Sequence, residues 1–307
     1  MVRTTLLMLS ALTALPALGW NDVGHMAVAA IAYDRLSPEA RTRVRELLRL
    51  NPDYASWIAA AGSNDPDKVA FMRSAYWPDD IKFKGDYMDD KQWTSKAKEI
   101  IGYADKSRHR YWHYKDVPYT TDGTSLPKQP KTPNAQTQIA TMRGLLSSDA
   151  TDDRKSYSLA WLNHLVGDVH QPLHASARFS KGQPSGDGGG NSVTVCASKC
   201  GSLHAFWDDA VGATKTNEDP IPKALKVQKR LASFEAIPKQ AAESNENVWI
   251  DESSGLARKF AYADPVGVDT DTFELDQTYR TNAGSIAEKR IALAGVRLAN
   301  LINRSLK

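Results

Sequence analysis

The sequence predicts a single, mainly α-helical domain with at most a small β-hairpin, and three observations predict it. Apolar residues recur at helical spacing in four separate segments. Strand-like patterning is clear only in Asn191-Ser-Val-Thr-Val195, ahead of the two cysteines. The Pro- and Gly-rich stretches, Pro118 to Pro133 and Lys181 to Gly190, are each followed by resumed helical pattern without a shift in composition. They read as long surface loops inside one domain.

In chain order, the first segment is a leader. Arg3 supplies a positive start, and Leu6, Leu7, Met8, Leu9, Leu12, Leu15 and Leu18 form an apolar run too short to span a bilayer. Ala17-Leu18-Gly19 offers small residues for signal peptidase. The expected division is a signal peptide over 1–19 and one domain over 20–307, exported to the periplasm or secreted. Ser37-Pro38 then gives a cap and first-turn pair, with Val44, Leu47, Leu48 and Leu50 behind it. Asn134 to Leu146 carries Ile139, Met142, Leu145 and Leu146, and Ser156 to Val169 carries Leu159, Leu162, Leu165, Val166 and Val169. The last helix is expected over about Ala283 to Leu306. These stripes read as core.

The bulk numbers narrow the function only a little. With 39 basic against 36 acidic residues in 307, the chain is no polycationic nucleic-acid coat, although it can still grip a few phosphates locally. The two cysteines, Cys196 and Cys200, read as a local disulfide in an exported chain, since zinc would need further thiolates or histidines nearby. The run Gly188-Gly189-Gly190 lacks the Lys-Ser/Thr ending of a phosphate-binding loop.

The chemistry lies in the histidines and their carboxylate neighbours. His164 and Asp168 are four apart in a helical pattern, so they share one face, and His204 and Asp208 repeat the spacing. His174 follows closely, with Pro172 turning the chain. Neutral imidazole with carboxylate oxygen is an ordinary zinc ligand set. Spacing alone leaves helix-surface hydrogen bonds and satisfied core histidines as equal readings.

At these residues the chain resembles a family. Trp161-Leu-Asn-His164-Leu-Val-Gly-Asp168-Val-His-Gln-Pro-Leu-His174 resembles the zinc signature of S1/P1 nucleases, with Gly189-Gly190-Asn191 and His204-Ala-Phe-Trp-Asp208 following in that family's order. Trp20-Asn-Asp-Val-Gly-His25 resembles the family's mature N-terminus, and Trp77-Pro-Asp79 and His113-Tyr-Lys-Asp116 its intervening pieces. After about Val211 no motif is recognisable.

The resemblance implies a zinc-dependent endonuclease with three zinc ions, acting on single-stranded DNA and RNA to give 5′-phosphorylated products, with 3′-nucleotidase activity left open. Asp79, His113, His164 and Asp168 would hold one ion, and His174, His204 and Asp208 a second. Asp168 would also reach the third, completed by His25 and the freed α-amino group and carbonyl of Trp20. A hydroxide bridging two zincs would be the nucleophile. Asp79 and Asp168 would serve catalysis through the metals, and Lys82 stands where the family usually places an arginine. Lysine keeps the charge but loses the bidentate fork, and a solvated surface lysine is the competing reading. Tyr114 matches an aromatic on which a base stacks, against a half-buried packing tyrosine. Asn191 and Asp187 would touch phosphate or support the ligands, against the reading that as loop-turn residues they do neither. Asp80 competes with Asp79 and His109 with His113, while His109 and His170 take structural or surface roles. A monomer without membrane partners is expected. The alternatives are a zinc phospholipase C-like esterase, disfavoured by the short Trp20-to-His25 spacing and by Asp208 in place of glutamate, and an exported metal carrier without catalysis.

Overall fold

The computed structural model describes residues 19–234, 238–268 and 271–306. The expected signal segment, apart from Gly19, lies outside the described residues. The first helix, α1 (Asp22–Tyr33), is followed by α2 (Pro38–Leu48), α3 (Tyr54–Ala59), α4 (Pro66–Asp80), strand β1 (Pro118–Thr120), α5 (Ala135–Leu146) and α6 (Asp152–Asp168). Then come β2 (Ala177–Phe179), β3 (Thr194–Cys196), β4 (Cys200–Ser202), α7 (Leu203–Asp208), α8 (Ile221–Arg230), α9 (Pro238–Ala242), α10 (Glu246–Leu256), β5 (Thr272–Glu274) and α11 (Gln277–Ser305).

Local signals set most helix starts. Ser37 accepts from the Ala40 N–H and Pro38 opens α2. Asn134 and Thr137 form a reciprocal capping box on α5, and Asp276 accepts from the Tyr279 N–H to start α11. That last helix begins six residues before the expected Ala283, because its first turns are polar and carry no apolar stripe. Helices α1 and α6 are buried over almost their whole lengths and pack against each other, α4 and α11, forming the main core. A smaller core gathers Leu173, Val193, Trp207 and Tyr279 beneath the strands.

The strand content exceeds a lone hairpin. Strands β3 and β4 form the expected antiparallel pair, closed by the Cys196–Cys200 disulfide. Parallel to β3 runs β5, with Val195 opposite Phe273, and β1 pairs in parallel with β2 at Tyr119 and Arg178. Each added strand is three residues long, too short to show alternation in sequence. Among the described residues, no helix is long and apolar enough to cross a membrane.

The C-terminal third has a definite job. The Ser253 hydroxyl donates to the Val169 carbonyl at 2.6 Å, and Arg290 Nε donates to the His170 carbonyl at 3.1 Å. These carbonyls directly follow α6, where a helix leaves acceptors without internal partners. Helices α10 and α11 thereby clamp the end of the helix that carries His164 and Asp168.

Candidate metal centre

The eight candidate side-chain ligands reach the interior from six separate pieces of backbone. Helix α1 delivers His25 just after its Asn21 cap, and the last turn of α4 delivers Asp79. A 3₁₀ turn, Arg110–Trp112, ends at His113. Helix α6 presents His164 and Asp168 on one face, a 3₁₀ turn at Pro172–Ala175 places His174, and α7 presents His204 and Asp208. All eight side chains are buried.

Their donor atoms converge. His25, Asp79 and His164 form one group; His113, His164 and Asp168 a second; His174, His204 and Asp208 a third. Within each, the candidate ligand atoms lie within 4.8 Å of one another. Asp168 Oδ2 lies 3.0 Å from His164 Nε2 and 3.1 Å from His113 Nδ1, while its Oδ1 lies 3.3 Å from His25 Nε2. Asp79 Oδ1 lies 3.7 Å from His164 Nε2 and 3.8 Å from His113 Nδ1. Asp79 enters this cluster, and Asp80 stands outside the three groups.

Hydrogen bonding fixes which nitrogen faces inward. A carbonyl only accepts, so Nδ1 of His164, facing the Ala75 carbonyl at 2.7 Å, carries the hydrogen. The same holds for His174 Nδ1 on the His113 carbonyl (2.8 Å) and His204 Nδ1 on the Gly189 carbonyl (2.7 Å). The Nε2 atoms of His174 and His204 then turn inward and lie 3.0 Å apart. Burial, reinforced by His174, lowers the His204 pKa to about 3, so a proton is not held there near neutrality. A cation held between His174 and His204 would accept both nitrogens.

The remaining electrostatics agree with a cation-seeking site. Burial lowers His25 to about 4 and, with Lys82, lowers His113 to about 3, leaving both neutral. At Asp79, burial acts upward most strongly, yet Lys82 and the histidines outweigh it and hold the carboxyl at about 2. Burial and neighbouring carboxylates push Asp208 well above the carboxylate range, against the amide of Gln171, which donates to its Oδ1 at 2.7 Å. Among the described residues, both ring nitrogens of His25, His113 Nε2, Asp79 Oδ2 and Asp168 Oδ1 are buried without a hydrogen-bond partner. Buried polar atoms left so are costly unless something else satisfies them. Imidazole nitrogens and carboxylate oxygens in groups of three fit zinc, which takes such ligands and keeps a position open at catalytic sites.

Two backbone features shape the cluster. Gly189 has φ +64°, and a Cβ there would meet the Leu173 carbonyl oxygen at 2.5 Å, so only glycine fits. The glycine run thus brings its carbonyl to His204. Gly19 lies against the other end: a Cβ on it would fall 1.7 Å from Asp168 Oδ1 and 2.9 Å from His25 Nε2. Trp20 beside it is fully buried, and the Asn21 N–H donates to the Asp208 carbonyl.

Lys82 is buried, not a solvated surface lysine; its Nζ lies 2.6 Å from Asp79 Oδ1 and 3.4 Å from His113 Nδ1. A lysine is buried only with a charge partner, and the neighbouring Asp79 supplies it. Tyr114 is half-buried against the core and lines a cavity of about 320 Å³ with Asp116, Lys131 and Phe179. Asp116 is pushed up to about 7 by burial and by Asp187. The Asn191 amide donates to the Gly188 carbonyl, and Asp187 accepts from the Arg178 N–H, so both brace the glycine turn. His109 lies outside the cluster, stacked on Trp112 and bonded to Asp90 and Asp105, and His170 is buried beside Arg297. Sequence reasoning missed Gln171, whose place between His170 and Pro172 was the available signal. A larger cavity of about 750 Å³, near Arg143, Trp249 and Arg304, contains none of these donors and is remote from the chemistry.

Known proteins match along nearly the whole chain. Endonuclease 3 and Endonuclease 4 of Arabidopsis thaliana are 27% and 28% identical, each aligning 94% of this chain with 89% of the relative. Nuclease S1 of Aspergillus oryzae is 24% identical, over 92% of this chain and 90% of its own. The family described as S1/P1 Nuclease matches residues 20–307, and on that match the chain belongs to the S1/P1 nuclease family.

Proposed function

We propose that the protein is an exported, zinc-dependent endonuclease that hydrolyses single-stranded DNA and RNA to 5′-phosphorylated products. The observation that carries this reading is the convergence of three buried His/Asp groups within a chain of a nuclease family. Three zinc ions would be held by Asp79, His113, His164 and Asp168; by His174, His204 and Asp208; and by Trp20, His25 and Asp168. When bound, such ions supply Lewis-acid charge and lower the pKa of water from about 15.7 to about 7.

The chain's own residues do the rest. Asp168 ties His113, His164 and His25 into one rigid set, and Gln171 orients Asp208. Lys82 places its Nζ 2.6 Å from Asp79 Oδ1, where it is suited to meet an anionic phosphate in the transition state. Tyr114 offers a ring for an unpaired base, and Asn191 a polar contact at the rim. Single-strand preference follows, since a base inside a duplex has no free face.

The test uses the purified protein beginning at Trp20, with single-stranded DNA and phosphatidylcholine as parallel substrates, before chelation, after it, and after zinc is restored. Zinc-dependent release of 5′-mononucleotides is expected. Choline phosphate release alone would move the protein to the phospholipase reading, and a zinc-loaded protein inert on both would favour the metal carrier.

A second expectation concerns the N-terminus. The family match begins at Trp20, and Gly19 lies on Asp168 and His25. Cleavage before Trp20 would remove that contact and free the amine, which ligates only when deprotonated and uncovered. Protein retaining Gly19 should bind one zinc fewer per chain than protein starting at Trp20, by metal analysis. Equal zinc content in the two forms would remove the N-terminus from the ligand set.

A further inference from the structure

The long connection between α4 and α5 contains a feature that the metal centre does not use. Of the eight tryptophans, seven are buried to 5% exposure or less, whereas Trp93 is 80% exposed. Trp93 lines a groove of about 610 Å³ with Gln92, Lys98, Thr132 and Pro133, and no carboxylate lines it. Gln92 belongs also to the wall of the Tyr114 cavity, which adds Lys131. Its side-chain amide donates to the Pro133 carbonyl at 2.8 Å, fixing the junction. Lys91 holds its ammonium 5.9 Å from the Trp93 ring centre.

An exposed indole bordered by lysines is what a single strand requires: a flat face for a base, and cations for phosphates. Continuity with the Tyr114 cavity selects the occupant, because a strand seated there leaves across Gln92. Among the described residues, the Trp93 groove itself has no carboxylate to hold a basic peptide, and Asp116 is the one carboxylate in the wall of the adjoining cavity. We propose that the Trp93 groove is a second binding site for single-stranded nucleic acid, in which a base beyond the cleaved linkage stacks on Trp93 while Lys91, Lys98 and Lys131 take its phosphates. This extends the nuclease reading and rests on it.

The experiment compares the zinc-loaded protein and Trp93→Ala on a dinucleotide and on a 20-residue oligothymidylate. Stacking of one base is worth about tenfold or more in affinity. Trp93→Ala should therefore raise KM for the oligomer about tenfold, with kcat and both dinucleotide constants unchanged, and Trp93→Phe should restore most of the loss. Wild-type cleavage of the oligomer with an unaltered KM in Trp93→Ala would overturn the proposal. A second readout does not need turnover. Since the other tryptophans are buried, fluorescence quenchable by acrylamide comes chiefly from Trp93, and oligothymidylate should protect it. If neither substrate is cleaved by the wild type, the nuclease reading fails by itself; protection by the oligomer would still support the groove, and its absence would overturn it.

Discussion

Asp168→Asn is expected to lower single-strand hydrolysis about a thousandfold or more, and to lower bound zinc per chain at the same time. The substitution preserves shape, so packing around the buried C-terminal part of α6 is retained. What changes is charge. Asp168 lies within 3.3 Å of His25, His113 and His164, and 3.7 Å from His174. Burial works to raise its pKa, but the surrounding histidines hold it well below the carboxylate range, so it is an anion at any working pH. A neutral amide offers one oxygen and no charge to a divalent ion. A bound metal supplies several kcal/mol of transition-state charge stabilisation, and each 1.36 kcal/mol is tenfold in rate. Metal analysis beside the kinetic assay checks the result, with circular dichroism to confirm the fold. Wild-type zinc content and turnover in Asp168→Asn would remove the residue from the centre.

Glu252→Gln should bring the largest loss of stability, about 3 kcal/mol, with a fall in Tm of roughly 5 °C. Glu252 accepts from Arg290 Nη1 at 2.9 Å and from Arg297 Nη1 and Nη2 at 2.7 and 2.8 Å. Both arginines are buried, Arg297 completely, and the amide would leave two guanidinium groups without a compensating charge. The estimate is at the low end for a broken buried pair because the Glu252 side chain is 23% exposed. The pH dependence has a definite sign. Burial acts to raise the Glu252 pKa, the arginines outweigh it, and the folded value lies below the ordinary one. Its contribution is therefore present above the unfolded glutamate value and disappears as pH falls through the folded one. Thermal melts of wild type and variant should differ at pH 7 and converge in acid. Parallel curves at every pH would assign the loss to packing instead.

Most parts of the fold that could be read had one wet face; α6, buried from Ser156 onward, was readable from its leucines at helical spacing. Helices α2, α5 and α11 show an apolar stripe because their other sides meet water, and capping residues at Ser37 and Asn134 sharpen their starts. Helix α1 has no wet face, so Val23 to Tyr33 lacks a polar counter-stripe for periodicity to detect. In α4, Pro78 interrupts the helical signal at the turn that carries Asp79. The strands β1, β2 and β5 owe their existence to partners distant in sequence. The candidate site divides in the same way. His164 with Asp168 and His204 with Asp208 could be found from spacing, being neighbours on single helices. His25, Asp79 and His113 join them through tertiary packing, and only the family resemblance pointed to them. Lys82 was ambiguous because its burial depends on where Asp79 points, which the helix end decides.

The Cys196–Cys200 disulfide joins two strands of one hairpin and constrains little else. The donor atoms, by contrast, come from α1, α4, the turn before His113, α6, the turn at His174 and α7, and they meet only when all six are assembled. Closing such distant segments is the slow part of folding. The centre is therefore no portable cassette: no fragment lacking any of the six would carry it. The same geometry makes activity a report on the whole tertiary structure, lost on partial unfolding of any of the six segments, even while secondary structure persists.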